Sequence, residues 1–136
     1  MELSFFDTNI LVYTDDPNSA QKASIATDLI EQHLLAGTAV LSTQVLQEYF
    51  VVTTRKIGTE PPIARRKIEL FSRMGVVQVD AALILAAIDL QQRHPLSFWD
   101  ALILQAASAS GCAVLYSEDM QDGGIIAGVR VVNPFA

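Results

Sequence analysis

Leu3-Ser4-Phe5-Phe6-Asp7-Thr8-Asn9 sets a short, mostly apolar run directly against an acid and two polar residues suited to starting a helix. The run reads as a buried first strand, and Asp7-Thr8-Asn9 as a helix-initiating turn. Asp7 is therefore expected at the carboxyl end of a strand. The same alternation continues along the chain. From Asn18 to Ala36, Ala23, Ile25, Ala26, Leu29, Ile30 and Leu34 follow helical spacing, and Gly37 offers the stop. Thr38-Ala39-Val40-Leu41-Ser42 reads as a second strand. Thr43 then suits the cap of a helix carrying Val45, Leu46, Tyr49, Phe50 and Val52, with Glu48 in its first two turns.

Gly58-Thr59-Glu60-Pro61-Pro62 breaks the pattern, and Pro61 or Pro62 fits the first turn of a helix reaching Met74-Gly75. Val76-Val77-Gln78-Val79 is a third strand. Asp80 caps a helix from Ala81 to Arg93 that His94-Pro95 ends. Ser97-Phe98-Trp99-Asp100 opens another helix, running to Gly111. Ala113-Val114-Leu115-Tyr116 follows as a fourth strand, Ser117 to Gly124 as a polar loop and Val129-Arg130-Val131-Val132 as a fifth strand. Strands alternating with helices predict an α/β fold whose mainly parallel sheet of about five strands is covered on both faces. With no repeat, low-complexity segment or linker, residues 1–136 read as one domain.

At 136 residues with 51% apolar composition, the chain is long enough for a real core and is not expected to be disordered, and its mean hydropathy of +0.33 fits either a large core or an apolar surface used for self-association. The longest apolar run, Ala81 to Ile88, is far short of the ~18 residues a membrane span needs. Met1-Glu2-Leu3-Ser4-Phe5-Phe6 has no basic n-region and no small-residue cleavage site, so a cytoplasmic protein is expected. Cys112 has no partner for an internal disulfide and reads as a small buried hydrophobe. Fifteen acidic against nine basic residues give a net charge of −6, which by itself argues against a nucleic-acid partner. However, six of the nine cations, Arg55, Lys56, Arg65, Arg66, Lys67 and Arg73, share one stretch with only two acids, Glu60 and Glu69. That stretch is either a local basic surface or an ordinary solvated helical face.

Asp7, Glu48, Asp100 and Asp119 each sit near the beginning or end of an apolar segment. In an open α/β sheet the ligand crevice lies beyond the carboxyl ends of the strands, where all four can meet. Carboxylates gathered there repel one another unless protons or a divalent cation compensate the charge, which makes a bound Mg²⁺ or Mn²⁺ the first expectation. Each acid also has a structural reading. Asp7 suits a helix cap, Ser97-x-x-Asp100 resembles a capping box, Glu48 suits a solvent-facing helical position, and Asp119 shares turn composition with Ser117, Glu118 and Asp122. Trp99 reads as a core or site-wall aromatic rather than a base-stacking platform, and His33 and His94, without ligand-spaced partners, as structural.

With these residues in place, the chain resembles the PIN-domain (PilT N-terminus) family and, within it, the VapC-like toxin ribonucleases. Four blocks carry the resemblance in the family's order: Phe6-Asp7-Thr8-Asn9-Ile10-Leu11-Val12-Tyr13, Ser42-Thr43-Gln44-Val45-Leu46-Gln47-Glu48, Ser97-Phe98-Trp99-Asp100-Ala101-Leu102-Ile103, and Leu115 to Gly123. The resemblance implies a PIN-like α/β/α sandwich and metal-dependent hydrolysis of RNA phosphodiesters. It also implies Asp7, Glu48, Asp100 and Asp119 as the acidic quartet around Mg²⁺ or Mn²⁺, with Asp7 and Asp100 the direct ligands. Asn9 and Ser117 match polar positions that orient carboxylates or water. Thr8 is either part of the site or a helix cap, and Asp122 either a site acid or a turn residue. An RNA substrate, a cognate antitoxin whose Arg enters the acidic pocket, and a homodimer with residues 55–73 flanking a shared groove are the implied partners.

An aspartyl-nucleophile phosphatase also places Asp after a first strand but wants a second Asp two residues later, where Asn9 stands. A housekeeping RNA-processing PIN nuclease shares the same acids. So does a non-catalytic PIN-fold binding or scaffold protein.

Overall fold

The computed structural model of the chain describes residues 2–136; Met1, the first residue of the expected domain, lies outside the described residues. Strand β1 (Ser4–Phe6) is buried throughout, and Asp7 ends it by capping helix α1 (Thr8–Tyr13) with its side chain on the Thr8 N–H. Helix α2 (Ala20–Ala36) stops at Gly37, whose φ of 71° is left-handed and suits a residue without Cβ. Strand β2 (Ala39–Ser42) leads straight into α3 (Thr43–Val52). Here the cap is Ser42, whose hydroxyl accepts the Val45 N–H, and not Thr43 as expected. The Thr43 hydroxyl instead accepts the Val79 N–H, tying this helix start to the segment after the third strand.

A π-helical turn (Thr53–Ile57) prolongs α3 and ends at Gly58, φ 87°. Helix α4 (Pro61–Phe71) has proline in its first turn as expected, but stops three residues short of Met74. Strand β3 (Gly75–Val77), α5 (Ala81–Arg93, capped by Asp80) and α6 (Phe98–Ala109, capped by Ser97) follow. Strand β4 (Val114–Tyr116) and the pair β5 (Ile125–Ile126) and β6 (Val129–Val132) complete the chain.

The sheet has six strands in the order β3-β2-β1-β4-β6-β5, one more than the sequence suggested. All neighbouring pairs are parallel except β5 with β6. The additional strand is half of a hairpin whose two-residue turn, Ala127-Gly128, has positive φ at both positions. Such a turn is usually signalled by Asn-Gly or Asp-Gly. Alanine gives no such signal, so the hairpin was not legible; Ser108 Oγ donates to the Ala127 carbonyl at 2.8 Å and ties the turn to α6.

From β1 the chain winds outward to β2 and β3, then returns across β1 to β4. Because parallel crossovers are right-handed, α1 to α4 cover one face of the sheet and α5 and α6 the other. The winding reverses between β1 and β4, paired in register Phe5 with Leu115 and Phe6 with Tyr116. A crevice opens at such a reversal because the flanking helices leave in opposite directions. The core between the layers is built from Phe5, Leu41, Leu115 and Val131 of the strands, with Ile10, Ala26, Leu90 and Leu104 from the helices.

Candidate active site

The crevice at the strand reversal is a cavity of about 370 Å³ whose lining includes Asp7, Glu48, Asp100 and Asp119. Four separate pieces of chain supply these acids: the end of β1, the second turn of α3, the first turn of α6 and the loop after β4. Asn9, Thr8, Trp99 and Lys56 also line the cavity.

Asp7 is the deepest of the four, with 5% of its surface exposed. It accepts hydrogen bonds from the Thr8 N–H at 2.7 Å, from the buried Ser117 hydroxyl at 2.7 Å and from Asn9 Nδ2 at 3.3 Å. Its role as cap and its place in the site therefore coexist. Burial pushes its carboxyl up to about 6 against the pull of Ser117 and Thr8, and the charges of Asp100 and Asp119 push it the same way. Burial also raises the Glu48 carboxyl, opposed by Gln44 and Thr8 and reinforced by Asp100. It raises Asp100 too, opposed by Ser97 and reinforced by Asp119. Three carboxyls held above their ordinary range, each by burial and by a like charge across the cavity, mark a place that favours added positive charge.

Asn9 is the bridge of the site. Its Nδ2 reaches Asp119 Oδ2 at 3.0 Å as well as Asp7, while its Oδ1 accepts the Glu118 N–H at 3.2 Å. Ser117 completes the link by also accepting the Asp119 N–H at 3.2 Å. The loop after β4 is thereby pinned to the start of α1. Thr8 is the first residue of α1 and not its cap; its hydroxyl lies 3.4 Å from Glu48 Oε1 and joins α1 to α3. Asp122 stands outside the cavity and accepts the Asn133 N–H at 2.8 Å, a turn role.

The six cations of residues 55–73 do not share one surface role. Lys56, carried by the π-helical turn, lines the cavity. Lys67 pairs with Asp15, whose other oxygen accepts from Tyr49 and Thr53 at 2.7 Å each. Arg65 pairs with Glu69 one turn away on an exposed face, and Arg55, Arg66 and Arg73 are exposed. Trp99 is not a core residue: 61% of it is exposed, at the cavity wall. His33 is buried against Thr38, 2.7 Å from its hydroxyl, in a structural role.

Sequence reasoning did not single out Gln44, Glu118 or Tyr13 as site residues, and all three line the cavity. Tyr13 and Lys22 both bond Glu118; burial pushes that carboxyl up, but these two partners outweigh it and hold it below its usual range. The Ser-Glu-Asp composition around Glu118 was visible, but not which acid turns inward. Gln44 lies four residues before Glu48, one helical turn away on the same face, and that spacing is the signal that marks it.

Among the described residues, no three His, Cys, Asp or Glu side chains converge closely enough to hold an ion by themselves. The donor set nevertheless fits a hard, water-retaining cation such as Mg²⁺, which binds through one or two carboxylates and keeps several waters. Asp7, buried with no cationic partner among its hydrogen bonds, is the carboxylate such an ion would relieve.

No relative among curated proteins matches the chain. Solved structures do resemble it. VapC20 of Mycobacterium tuberculosis, described as a sarcin-ricin-loop-cleaving toxin, superposes with a TM-score of 0.65 at 24% identity, over 85% of this chain and 89% of that one. A toxin-antitoxin complex from Klebsiella pneumoniae gives 0.69 at 21% identity over 96% and 97% of the two chains. VapBC2 of Rickettsia felis, solved bound to a DNA fragment from its promoter, gives 0.66 at 21% over 95% and 96%. At these identities the likeness is one of fold. The sequence model of the PIN domain covers residues 4–121, from β1 through the Asp119 loop, and thus every acid of the cavity; the chain belongs to the PIN domain family.

Proposed function

We propose that the protein is a metal-dependent endoribonuclease and the toxin of a toxin–antitoxin pair. The observation that carries this reading is the convergence of Asp7, Glu48, Asp100 and Asp119 from four chain segments on one cavity at the strand reversal. Membership of the PIN family and the fold shared with VapC toxins support it.

Asp7 and Asp100 hold the divalent cation, Mg²⁺ or Mn²⁺, and Glu48 and Asp119 complete its surroundings directly or through water. A cation held there would supply a lowered pKa for an attacking water and positive charge to offset that on the phosphate. Ser117 and the Thr8 N–H fix the Asp7 carboxylate so that its lone pairs keep one direction. Asn9 fixes Asp119 in the same way. Glu48, raised above its ordinary range by burial, is the carboxylate suited to accept a proton from an attacking water. Lys56 at the cavity wall supplies positive charge for the RNA backbone, which an otherwise acidic cleft repels.

A second copy of the chain and a small antitoxin protein are the further partners. The exposed Ile84, Leu85 and Ile88 of α5 offer apolar surface for such contacts. No helix among the described residues is long and apolar enough to cross a membrane.

Cleavage of a mixed structured RNA by purified protein in Mg²⁺, Mn²⁺ or EDTA tests the reading, with folded Asp7→Asn and Asp100→Asn variants as controls. Metal-dependent cutting that disappears in both variants is expected. Cutting that persists in the variants, or metal binding without any RNA cutting, defeats the catalytic proposal.

A further inference from the structure

Gln44 is a polar side chain with 5% of its surface exposed, on the wall of the acidic cavity. Its Nε2 donates to the Trp99 carbonyl at 3.3 Å, linking α3 to the first turn of α6. That donation to a carbonyl fixes which end of the amide is nitrogen. The other end, Oε1, is the one buried side-chain oxygen or nitrogen without a hydrogen-bond partner among the described residues. A buried acceptor left unpaired is costly, and native structures seldom leave one unless a ligand or ordered water completes it. The cavity's own groups do not complete it: ionised Asp7, Glu48, Asp100 and Asp119 only accept, while Thr8 Oγ1 donates to Glu48, Asn9 Nδ2 to Asp7 and Asp119, and the Tyr13 hydroxyl to Glu118.

We propose that Gln44 is a positioning residue of the site whose Oε1 accepts a hydrogen bond from an O–H group brought in with the ligands. This deepens the nuclease reading and rests on it. Two sources present that chemistry: a water retained by the cation, and a ribose 2′-hydroxyl of the substrate. A hard cation keeps waters that are strong donors, and an amide oxygen one helical turn from Glu48 is placed to orient one of them. The 2′-hydroxyl is what distinguishes RNA from DNA at such an acceptor.

Gln44→Met keeps the length and burial of the side chain and removes the acceptor together with the Nε2 donation to the Trp99 carbonyl. In titrations of the metal-free protein with Mn²⁺ alone, the variant is expected to bind about tenfold or more weakly than wild type, the usual scale for losing a partner of a metal's ligand shell. If the source is the substrate, Mn²⁺ affinity stays equal. The variant then loses its preference for an RNA oligonucleotide over the DNA of the same sequence, measured as binding in Ca²⁺. Thermal unfolding in EDTA separates either result from a structural role: the substitution relieves the unpaired acceptor and gives up the Trp99 bond, two opposed effects, so the melting temperature shifts by only a few degrees. A melting temperature lowered by many degrees with both affinities intact overturns the proposal. Wild-type-like behaviour in all three measurements does so too. Wild type that binds neither Mn²⁺ nor RNA overturns the nuclease reading and this inference together, whereas wild type that binds both, with an unaltered variant, overturns this inference alone.

Discussion

Replacing Asp7 by Asn should stabilise the metal-free protein while abolishing activity. Asp7 is buried and its carboxyl is held at about 6 against an ordinary 3.8. Keeping it ionised at pH 7.5 therefore costs the folded state about 3 kcal/mol. The folded pKa is the higher one, so the favourable protonated state is fully available below pH 3.8 and is lost as pH rises to about 6. Above that the penalty is complete and constant.

Asn removes the ionisation and keeps an oxygen for the Thr8 N–H. It gives up one acceptor, leaving the Ser117 hydroxyl and Asn9 Nδ2 to rearrange at a cost of about 1–2 kcal/mol. The net gain at pH 7.5 is about 1–2 kcal/mol, or roughly 3–8 °C in melting temperature for a domain of this size. Thermal denaturation in EDTA at pH 7.5 and pH 5 is the assay. At pH 5 about half of the ionisation cost is gone and the two proteins should melt together. Millimolar Mg²⁺ should raise the wild-type curve and leave the variant's in place. A variant less stable than wild type at pH 7.5, or a difference that does not change with pH, would refute the view that Asp7 is an uncompensated buried charge.

The same carboxyl makes cation binding pH-dependent. Mn²⁺ affinity should be flat above pH 7 and fall toward tenfold per pH unit below about 6, because Asp7 must lose its proton to bind; titrations that give one affinity from pH 5 to 7 would remove Asp7 from the ligand set. Tyr49→Phe strips one hydrogen bond from the Asp15 carboxylate and should lower stability by about 1.5–3 kcal/mol with activity unchanged, seen as a lower urea midpoint at constant slope. Lys56→Ala should raise KM for RNA with little change in kcat and reduce the slope of log affinity against log salt by about 0.7. An unaltered slope would place Lys56 outside the phosphate contacts. Charge reversal at Arg65 and Arg66 tests the exposed part of α4 in the same salt series, and unchanged affinity and slope would confine the basic contribution to the cavity wall.

Much of the fold was legible because its signals are local. Apolar runs too short for helices, proline at the start of α4, Asp80 and Ser97 as caps, and Gly37 as a stop each act within a few residues of themselves. The acids that line the cavity were legible for a related reason: each lies next to an element boundary, and a parallel sheet gathers such boundaries at one end. The hairpin of β5 and β6 escaped because Ala127 does not advertise its positive φ, and the Ser42 cap because Thr43 beside it is equally suited by type. Side-chain partnerships lay beyond the sequence altogether. Lys67 belongs to Asp15, 52 residues earlier, and Asn9 to Asp119, 110 residues later. Trp99 read as a core or site-wall aromatic, and the tertiary structure puts it, exposed, at the wall.

By itself, then, the sequence determined the order of elements, the parallel sheet and which carboxylates could face one crevice, since propensity, capping and hydrophobic period are properties of neighbouring residues. Only the tertiary structure decided that Asp7 is the buried acid, that Lys56 alone of its cluster reaches the cavity and that Gln44 keeps a free oxygen there. Burial and hydrogen-bond partnership are relations between distant parts of the chain, and they take values only when the strands have paired and the helices have packed.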